Sequence, residues 1–295
     1  MKNTVFIFLY FWAAGCTTNH KDQNIFLTPA IPSELPIPFK PELVEDNTIV
    51  HRGVLSNDLS EYYFTVSDTT FSNFDIKVSK KQNGVWSAPV DAFFNSQYND
   101  HGMSFSPDGN TLFFSSTRPV GVDDFPSTWH IWRCEKHNQK WGKPEFVEIP
   151  GLQQQLTSHP TLANDGTLYF HASDLDYSNM AIHYTKLKNG NYQKAEKILF
   201  ETLGAIGYCT PYLSSNGQHL IFAAINESLD LYICKREAEN KWSTPIKLPE
   251  LINQNGQGNP YLSPDSKFLF YASQSDDNKN RWNVNWVETT TFLKE

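Results

Sequence analysis

The stretch "SFSPDGNTLFFSSTRP", residues 104–119, is one of five versions of a single phrase. Leu55-Ser56-Asn57-Asp58 precedes "EYYFTVSD", and Leu162-Ala163-Asn164-Asp165-Gly166 precedes "TLYFHASD". Leu213-Ser214-Ser215-Asn216-Gly217 precedes "HLIFAAIN", and Leu262-Ser263-Pro264-Asp265 comes shortly before "FLFYASQ". Each phrase is a tight turn leading into a short aromatic strand. Pro presets φ, Asp bonds its own backbone, and Gly accepts a positive φ. The period is roughly 50 residues, in the range of propellers and solenoids.

Every unit continues in the same way. A polar loop leads to a third strand: "DIKVSKK", "HIWRCEK", "IHYTKLK", "DLYICKR" and "NVNWVET". In the first four units a turn and a fourth strand follow, as in "NGVWSAPV", "QKWGKPEFVEI", "NGNYQKAEKIL" and "NKWSTPIKLPE". Four short antiparallel strands make one propeller blade. The sequence therefore predicts an all-β chain with a single β-propeller of five blades, six being the alternative. The last unit lacks its fourth strand. "FKPELVE", residues 39–45, matches "GKPEFVE", residues 142–148, and is expected to supply that strand and close the ring. Closure removes an open sheet edge. A sixth blade would need residues 17–40, but "LTPAIPSELPIPF" is too proline-rich for a central strand.

The N-terminus has another character. "MKNTVFIFLYFWAAGC" carries Lys2, an apolar run from Val5 to Trp12, and then Ala13-Ala14-Gly15-Cys16. The run is too short to span a bilayer and has the shape of a signal-peptide core. Its end resembles the bacterial lipobox, in which the Cys is lipidated and becomes the mature N-terminus. An ordinary cleaved signal is the alternative. The expected organisation is a lipoprotein signal peptide over 1–15, lipidated Cys16 and a tether over 16–37, and the propeller over 38–295. Thr17-Thr18 lacks the Asp associated with inner-membrane retention, so an outer-membrane lipoprotein facing the periplasm or the cell surface is expected. The lipid would be the only membrane contact.

A net charge of −8 without a basic stripe speaks against nucleic-acid binding. Beyond Cys16, the cysteines Cys134, Cys209 and Cys234 are odd in number and form no CxxC, so neither a complete disulfide framework nor a zinc site made from them is expected.

"SFSPDGNTLFFSSTRPVG", followed by "HIWRCEK" and "KWGKPEFV", is similar to the WD-like repeats of TolB-type β-propellers, which many bacterial lipoproteins carry. The resemblance covers nearly all of residues 38–295. It implies the fold and says little of activity. TolB itself has a separate N-terminal domain, for which this chain has no room, so the resemblance does not extend to the Tol–Pal role.

Function in a propeller usually sits where loops gather around the channel. Counting back from each turn places His51-Arg52, Asp100-His101, Ser158-His159, Tyr208-Cys209-Thr210 and Gln257-Gly258-Asn259 at the channel mouth. Loops between second and third strands add Arg118, Asp123, Asp124, Trp129, Asp174, Tyr177, Glu227, Arg281 and Trp282. Aromatics beside carboxylates, amides and Arg suit a polar ligand such as a glycan or a protein segment. The first expectation is thus a monomeric binding, recognition or scaffold module. The alternative is a polysaccharide lyase or glycoside hydrolase. His101, His159 or Tyr208 would then act as base, Arg52 would neutralise an acid group, and Asp100 would be the innermost carboxylate. No cofactor is predicted. His51, His101 and His159 leave a divalent metal at the mouth open, against a plainer reading in which they bond neighbouring backbone. By count from the turns, His51 and His101 share a register and His159 sits one residue later, which on a regular strand would reverse its facing. Trp86, Trp141 and Trp242 recur once per unit and are expected to pack.

Overall fold

In the computed structural model, the residues described are 31–200, 203–239, 241–275 and 281–293. They form five blades. The innermost strands are Ile49–Leu55, Asp100–Phe105, Leu156–Leu162, Gly207–Leu213 and Gly258–Leu262. Each pairs with a second strand: Glu61–Ser67, Thr111–Ser116, Leu168–Ser173, His219–Ile225 and Phe268–Gln274. The third strands are Phe74–Gln82, His130–His137, Ala181–Thr185, Leu229–Ala238 and Trp282–Glu288. Besides strands there are only two short 3-10 turns among the described residues. No described helix is long and apolar enough to cross a membrane.

The repeated turn owes its shape to a Ser-x-Asp cage. Ser106 Oγ donates to Asp108 Oδ1 at 2.6 Å, Asn110 N donates to the same oxygen at 3.0 Å, and Thr111 N donates to Ser106 Oγ at 2.9 Å. Ser56 with Asp58, Ser214 with Asn216, and Ser263 with Asp265 repeat the pattern. The residue after the Asp or Asn is left-handed in every blade. It is Gly109, Gly166 and Gly217 in three, and Leu59 (φ 59°) and Ser266 (φ 57°) in the other two.

The expected fourth strand is split. In blades one, two and four it consists of two-residue pieces, such as Lys140–Trp141 and Glu145–Phe146, both paired with the third strand. Pro89, Pro144 and Pro245 lie between the pieces and have no N–H to offer a ladder. Trp86, Trp141 and Trp242 are half-buried against the inter-blade cores, and Lys136 and Arg236 lie over Trp141 and Trp242.

The ring is closed by the N-terminal segment, five residues earlier than the match between "FKPELVE" and "GKPEFVE" implies, since that match sets Glu42-Leu43 where Glu145–Phe146 pairs in blade two. Ile37–Pro38 pairs with Asn285 and Trp286 of blade five, and Phe39 N donates to Val284 O at 2.7 Å. Glu288 N donates to Ser33 O at 3.3 Å, so the contact begins inside the expected tether. Residues 41–43 form a 3-10 turn instead of a strand. Lys40 is left-handed (φ 49°) and Pro41 opens the turn. Phe39 is the bolt: 2% exposed, its ring lies 4.9 Å from Tyr62 of blade one and 5.0 and 5.2 Å from Phe270 and Trp286 of blade five. Cys16 and the signal-peptide region lie outside the described residues. Cys134, Cys209 and Cys234 are buried free thiols.

Candidate functional site

Each inner strand carries a one-residue irregularity halfway along. Pairing skips between Val50 and Gly53, His101 and Ser104, Ser158 and Thr161, Cys209 and Tyr212, and Gly258 and Tyr261. In four blades the residue after the skip begins is left-handed: Gly102 (φ 61°), His159 (φ 54°), Thr210 (φ 48°) and Asn259 (φ 57°). In the last three of these it is followed by Pro160, Pro211 or Pro260, which need no ladder partner at a bulge. The bulges free inward-facing carbonyls, and other blades satisfy them. Ser104 Oγ donates to Pro160 O at 2.6 Å, and Arg52 Nη2 donates to Pro211 O at 3.1 Å.

This arrangement brings His101 and His159 together. Alternation along a regular strand predicts opposite facing for two residues one register apart. The left-handed backbone at His159 cancels that flip, and the two rings meet edge to face at 4.6 Å. Gly102 makes room, since a Cβ there would stand 3.0 Å from the His159 ring. Ser158 Oγ lies 2.8 Å from His101 Nε2, 3.0 Å from His159 Nδ1 and 2.9 Å from Ser115 Oγ. His159 Nε2 faces Asn259 Oδ1 at 2.7 Å, so that nitrogen donates. Nδ1 must then accept from Ser158, and His101 Nε2 must donate to Ser158. The result is one directed chain, His101 to Ser158 to His159 to Asn259, across three blades.

His171 extends the cluster. It stacks on His159 at 5.0 Å, and its Nδ1 accepts from Thr210 N at 3.2 Å. The pattern of repeats contained a signal for it that alignment by turns did not use. Its register partner is Ser158, and the matching second-strand positions are Ser115, Ala223 and Ala272. A histidine replaces a small residue only in this blade. His51 completes the group at a distance: its Nε2 bonds Ser67 Oγ at 2.8 Å, and Phe74 stands between it and His101.

These side chains line a pocket of about 670 Å³. Trp129 packs on His101 at a centroid separation of 4.0 Å, and Phe71, Tyr177, Asn99, Thr210 and Asn259 add to the wall. The described lining contains no Asp, Glu, Lys or Arg. Burial drives the imidazoles down: His51 to about 4, His171 to about 3, and His101 and His159 well below their ordinary value. Mutual repulsion among the histidines and with Arg52 adds to the effect on His101 and His159. Near neutral pH they are uncharged donors and acceptors. Arg52 is fully buried, and its Nε and Nη1 have no partner among the described residues. Desolvation lowers it to about 10, which leaves it cationic. Its Nη2 also reaches Thr210 O at 3.4 Å, which sets the charge directly behind the pocket wall.

Several expected site residues stand elsewhere. Asp100 is buried outside the pocket lining, with Oδ1 on Arg118 at 2.7 Å and Oδ2 accepting from Ser96 N and Oγ at 2.8 and 3.0 Å. Arg118 also donates to Phe94 O and lies over Phe114 and Trp132, so this ion pair ties blade two to the loop before it. Tyr208 turns away from the mouth and packs against Phe200 and Phe222 at 5.1 and 5.8 Å. Alternation sends Cys209, its neighbour, to the pocket instead. Gln257 is buried within its own loop, where its amide meets Leu229 O and the backbone of 254–256. Asp174 accepts from Gln155, Ser178 and Asn179, holding a loop in shape. Glu227, Asp123, Asp124 and Arg281 are exposed, and Trp282 is half-buried at the start of a third strand. Among the described residues no group of three His, Cys, Asp or Glu side chains is arranged to hold a metal ion.

No protein-family model matches the chain, and no curated protein does. Solved structures are similar in fold at low identity. TolB from Acinetobacter baumannii superposes with a TM-score of 0.51 at 14% identity, over 83% of this chain and 55% of that one. The chain thus spans about half the length of that TolB. A putative TolB from Agrobacterium tumefaciens gives 0.53 at 14% identity, over 90% and 88% of the two chains. A thermostable family-43 glycoside hydrolase gives 0.52 at 15% identity, over 84% and 91%. At such identities the likeness is one of fold: this chain is a β-propeller similar in fold to those of TolB proteins and of this hydrolase.

Proposed function

We propose that the protein is a ligand-binding module, held at the bacterial outer membrane by lipid on Cys16, that recognises a polar ligand at the channel mouth. The observation that supports it is the chemistry of the pocket. Its described wall is built from aromatic rings, uncharged hydrogen-bonding groups and a few aliphatic and sulfur-bearing side chains. Such a wall orients a ligand and supplies little acid–base power. A glycoside hydrolase needs a pair of carboxylates flanking the bond, and the described lining has none. A lyase needs a base matched to the working pH. Imidazoles held at about 4 and about 3, or well below the ordinary value, are weak bases at neutral pH.

The test is to incubate the protein with uronate-containing and neutral polysaccharides, and separately with a peptide library. Retention and product formation are followed together. The expected outcome is retention that His101→Ala weakens, with no new reducing ends and no unsaturated products absorbing in the ultraviolet. Turnover that disappears in His101→Ala would establish the lyase or hydrolase reading instead. Mass spectrometry of the mature N-terminus from a bacterial host tests the anchor, and an unmodified N-terminus beyond Cys16 would refute it.

A further inference from the structure

Two loops at the mouth are built to the same plan. "SDTTFSN" over 67–73 and "SDLDYSN" over 173–179 both join a second strand to a third, in blades one and three. In each, the Asp backbone carbonyl accepts from the aromatic residue's N–H: Phe71 N to Asp68 O at 3.1 Å and Tyr177 N to Asp174 O at 2.9 Å. In each, the Asn at the end of the loop donates to the Asp carboxylate, at 2.6 Å from Asn73 and 2.7 Å from Asn179. In each, the preceding Ser hydroxyl caps the same Asp carbonyl, at 3.1 and 2.9 Å. The amide and hydroxyl donors hold Asp68 down to about 2, through the Ser72 N–H first and Asn73 next, and they lower Asp174 as well.

The product of this construction is an aromatic side chain in left-handed backbone, Phe71 at φ 55° and Tyr177 at φ 66°. That conformation is unfavourable for a non-glycine residue, and it persists where the surroundings enforce it. It does not serve burial. Phe71 is 49% exposed and Tyr177 59% exposed, yet both line the mouth pocket. From Phe71 along the wall run His51, Phe74, His101 and Trp129, each in ring contact with the next. Exposed rings held rigidly above a floor of neutral donors and acceptors match the two halves of a sugar. The rings meet the C–H faces of a pyranose. The ring nitrogens not engaged within the cluster, on His51, His101 and His171, and the side-chain amides of Asn99 and Asn259 meet its hydroxyls. A volume of about 670 Å³ suits an oligosaccharide segment.

From this we infer that Phe71 and Tyr177 are a matched pair of stacking residues, and that the ligand is a saccharide chain. This rests on the reading of the mouth as a binding pocket and narrows it. The experiment is calorimetric titration with cello-, manno-, xylo- and galacturono-hexasaccharides and with a random hexapeptide pool, for the wild type, Phe71→Ala, Tyr177→Ala, the double variant and the ring-preserving Phe71→Tyr and Tyr177→Phe. At least one hexasaccharide is expected to bind. Each alanine variant should weaken it roughly 3–10-fold, and the double variant about 10–100-fold. The ring-preserving variants should stay within about twofold, and all should keep the wild-type melting temperature because neither ring is buried. Saccharide binding that both alanine variants leave unchanged would overturn the inference and leave the binding module standing. Binding of peptides and of no saccharide would do the same. Binding of neither would overturn both.

Discussion

The two ends of the propeller channel are built from the same strands and look nothing alike. At the turn end, each Ser-x-Asp cage is nearly a copy of the next. There the channel is narrowed by Tyr212 and Tyr261, whose hydroxyls donate to Leu262 O and Leu55 O at 3.2 and 3.1 Å. Neighbouring turns are laced together: Asn57 donates to Pro107 O, Asn164 to Ser215 O and Ser215 to Pro264 O. At the mouth end the blades differ: blade three offers a stacked pair of histidines, blade two a buried ion pair and an indole, and blades four and five the small residues Ala223 and Ala272. Regularity at one end serves closure and stability. Irregularity at the other end consists of groups that cost stability where they sit: buried imidazoles, an uncompensated guanidinium and left-handed aromatics. Such costs are concentrated where a protein meets a ligand.

The contrast can be broken first at the seam. Phe39→Ala removes the ring wedged between blades one and five, and a buried Phe→Ala change costs about 3–5 kcal/mol. Melting should fall by roughly 10 °C, with aggregation as the edge of Trp282–Glu288 opens. Calorimetry checks this, and an unchanged melting point would show that the ring does not close through Phe39.

The next largest effect is acid sensitivity from the mouth. His159 and His171 are buried, and their folded values lie below the unfolded value of 6.5. Above 6.5 both states are neutral at these sites, so pH has no leverage there. Below it the unfolded chain takes up protons that the folded one refuses. Stability then falls by about 1.4 kcal/mol per pH unit for each such histidine. For His171 the fall continues to about pH 3. His171→Asn keeps an acceptor for Thr210 N and removes the proton site. Urea midpoints between pH 7 and 5 should therefore fall less steeply in that variant. Equal slopes would mean that His171 is not held neutral by burial.

Smaller effects belong to the turn end. Asp108→Ala removes the acceptor of the Ser106 hydroxyl and the Asn110 N–H. Because the cage is partly exposed, a loss of about 1 kcal/mol is expected. Ser266→Gly should go the other way, gaining about 0.5–1 kcal/mol by relieving the left-handed backbone at φ 57°. Denaturant titration measures both, and a destabilised Ser266→Gly would show that its side chain matters more than its φ.

This same contrast governs what could be read from the chain beforehand. The turns are legible because their chemistry is local: Ser, Asp and Gly at fixed offsets build a cage within six residues. Counting them yields five blades and the need for an N-terminal clasp. The match sets the clasp five residues too late, because "FKPELVE" copies the letters of "GKPEFVE" while Lys40 and Pro41 turn the chain instead. At the mouth, counting back from the turns finds His101, His159 and Asn259. It cannot foresee that a bulge re-aims His159, since alternation assumes an unbroken ladder. Nor does it show that Asp100 is claimed by Arg118, or that Tyr208 faces the blade interface. Those facts depend on partners about 18 residues away or in another blade. His171 was hidden for the opposite reason. It sits on a regular strand, where a histidine reads as one more letter until the small residues at the same register in other blades are laid beside it.

Hydrogen–deuterium exchange, with and without whichever hexasaccharide binds most tightly, tests the division of labour most directly. Binding at the mouth should slow exchange in the paired loops over 67–74 and 173–180 and in the bulges around Gly102, His159, Thr210 and Asn259. The turn segments over 56–61, 106–111, 163–167, 214–219 and 263–268 should exchange at the same rate in both states. Protection confined to the turn segments, or spread evenly over both ends of the channel, would contradict the assignment of the mouth as the binding face.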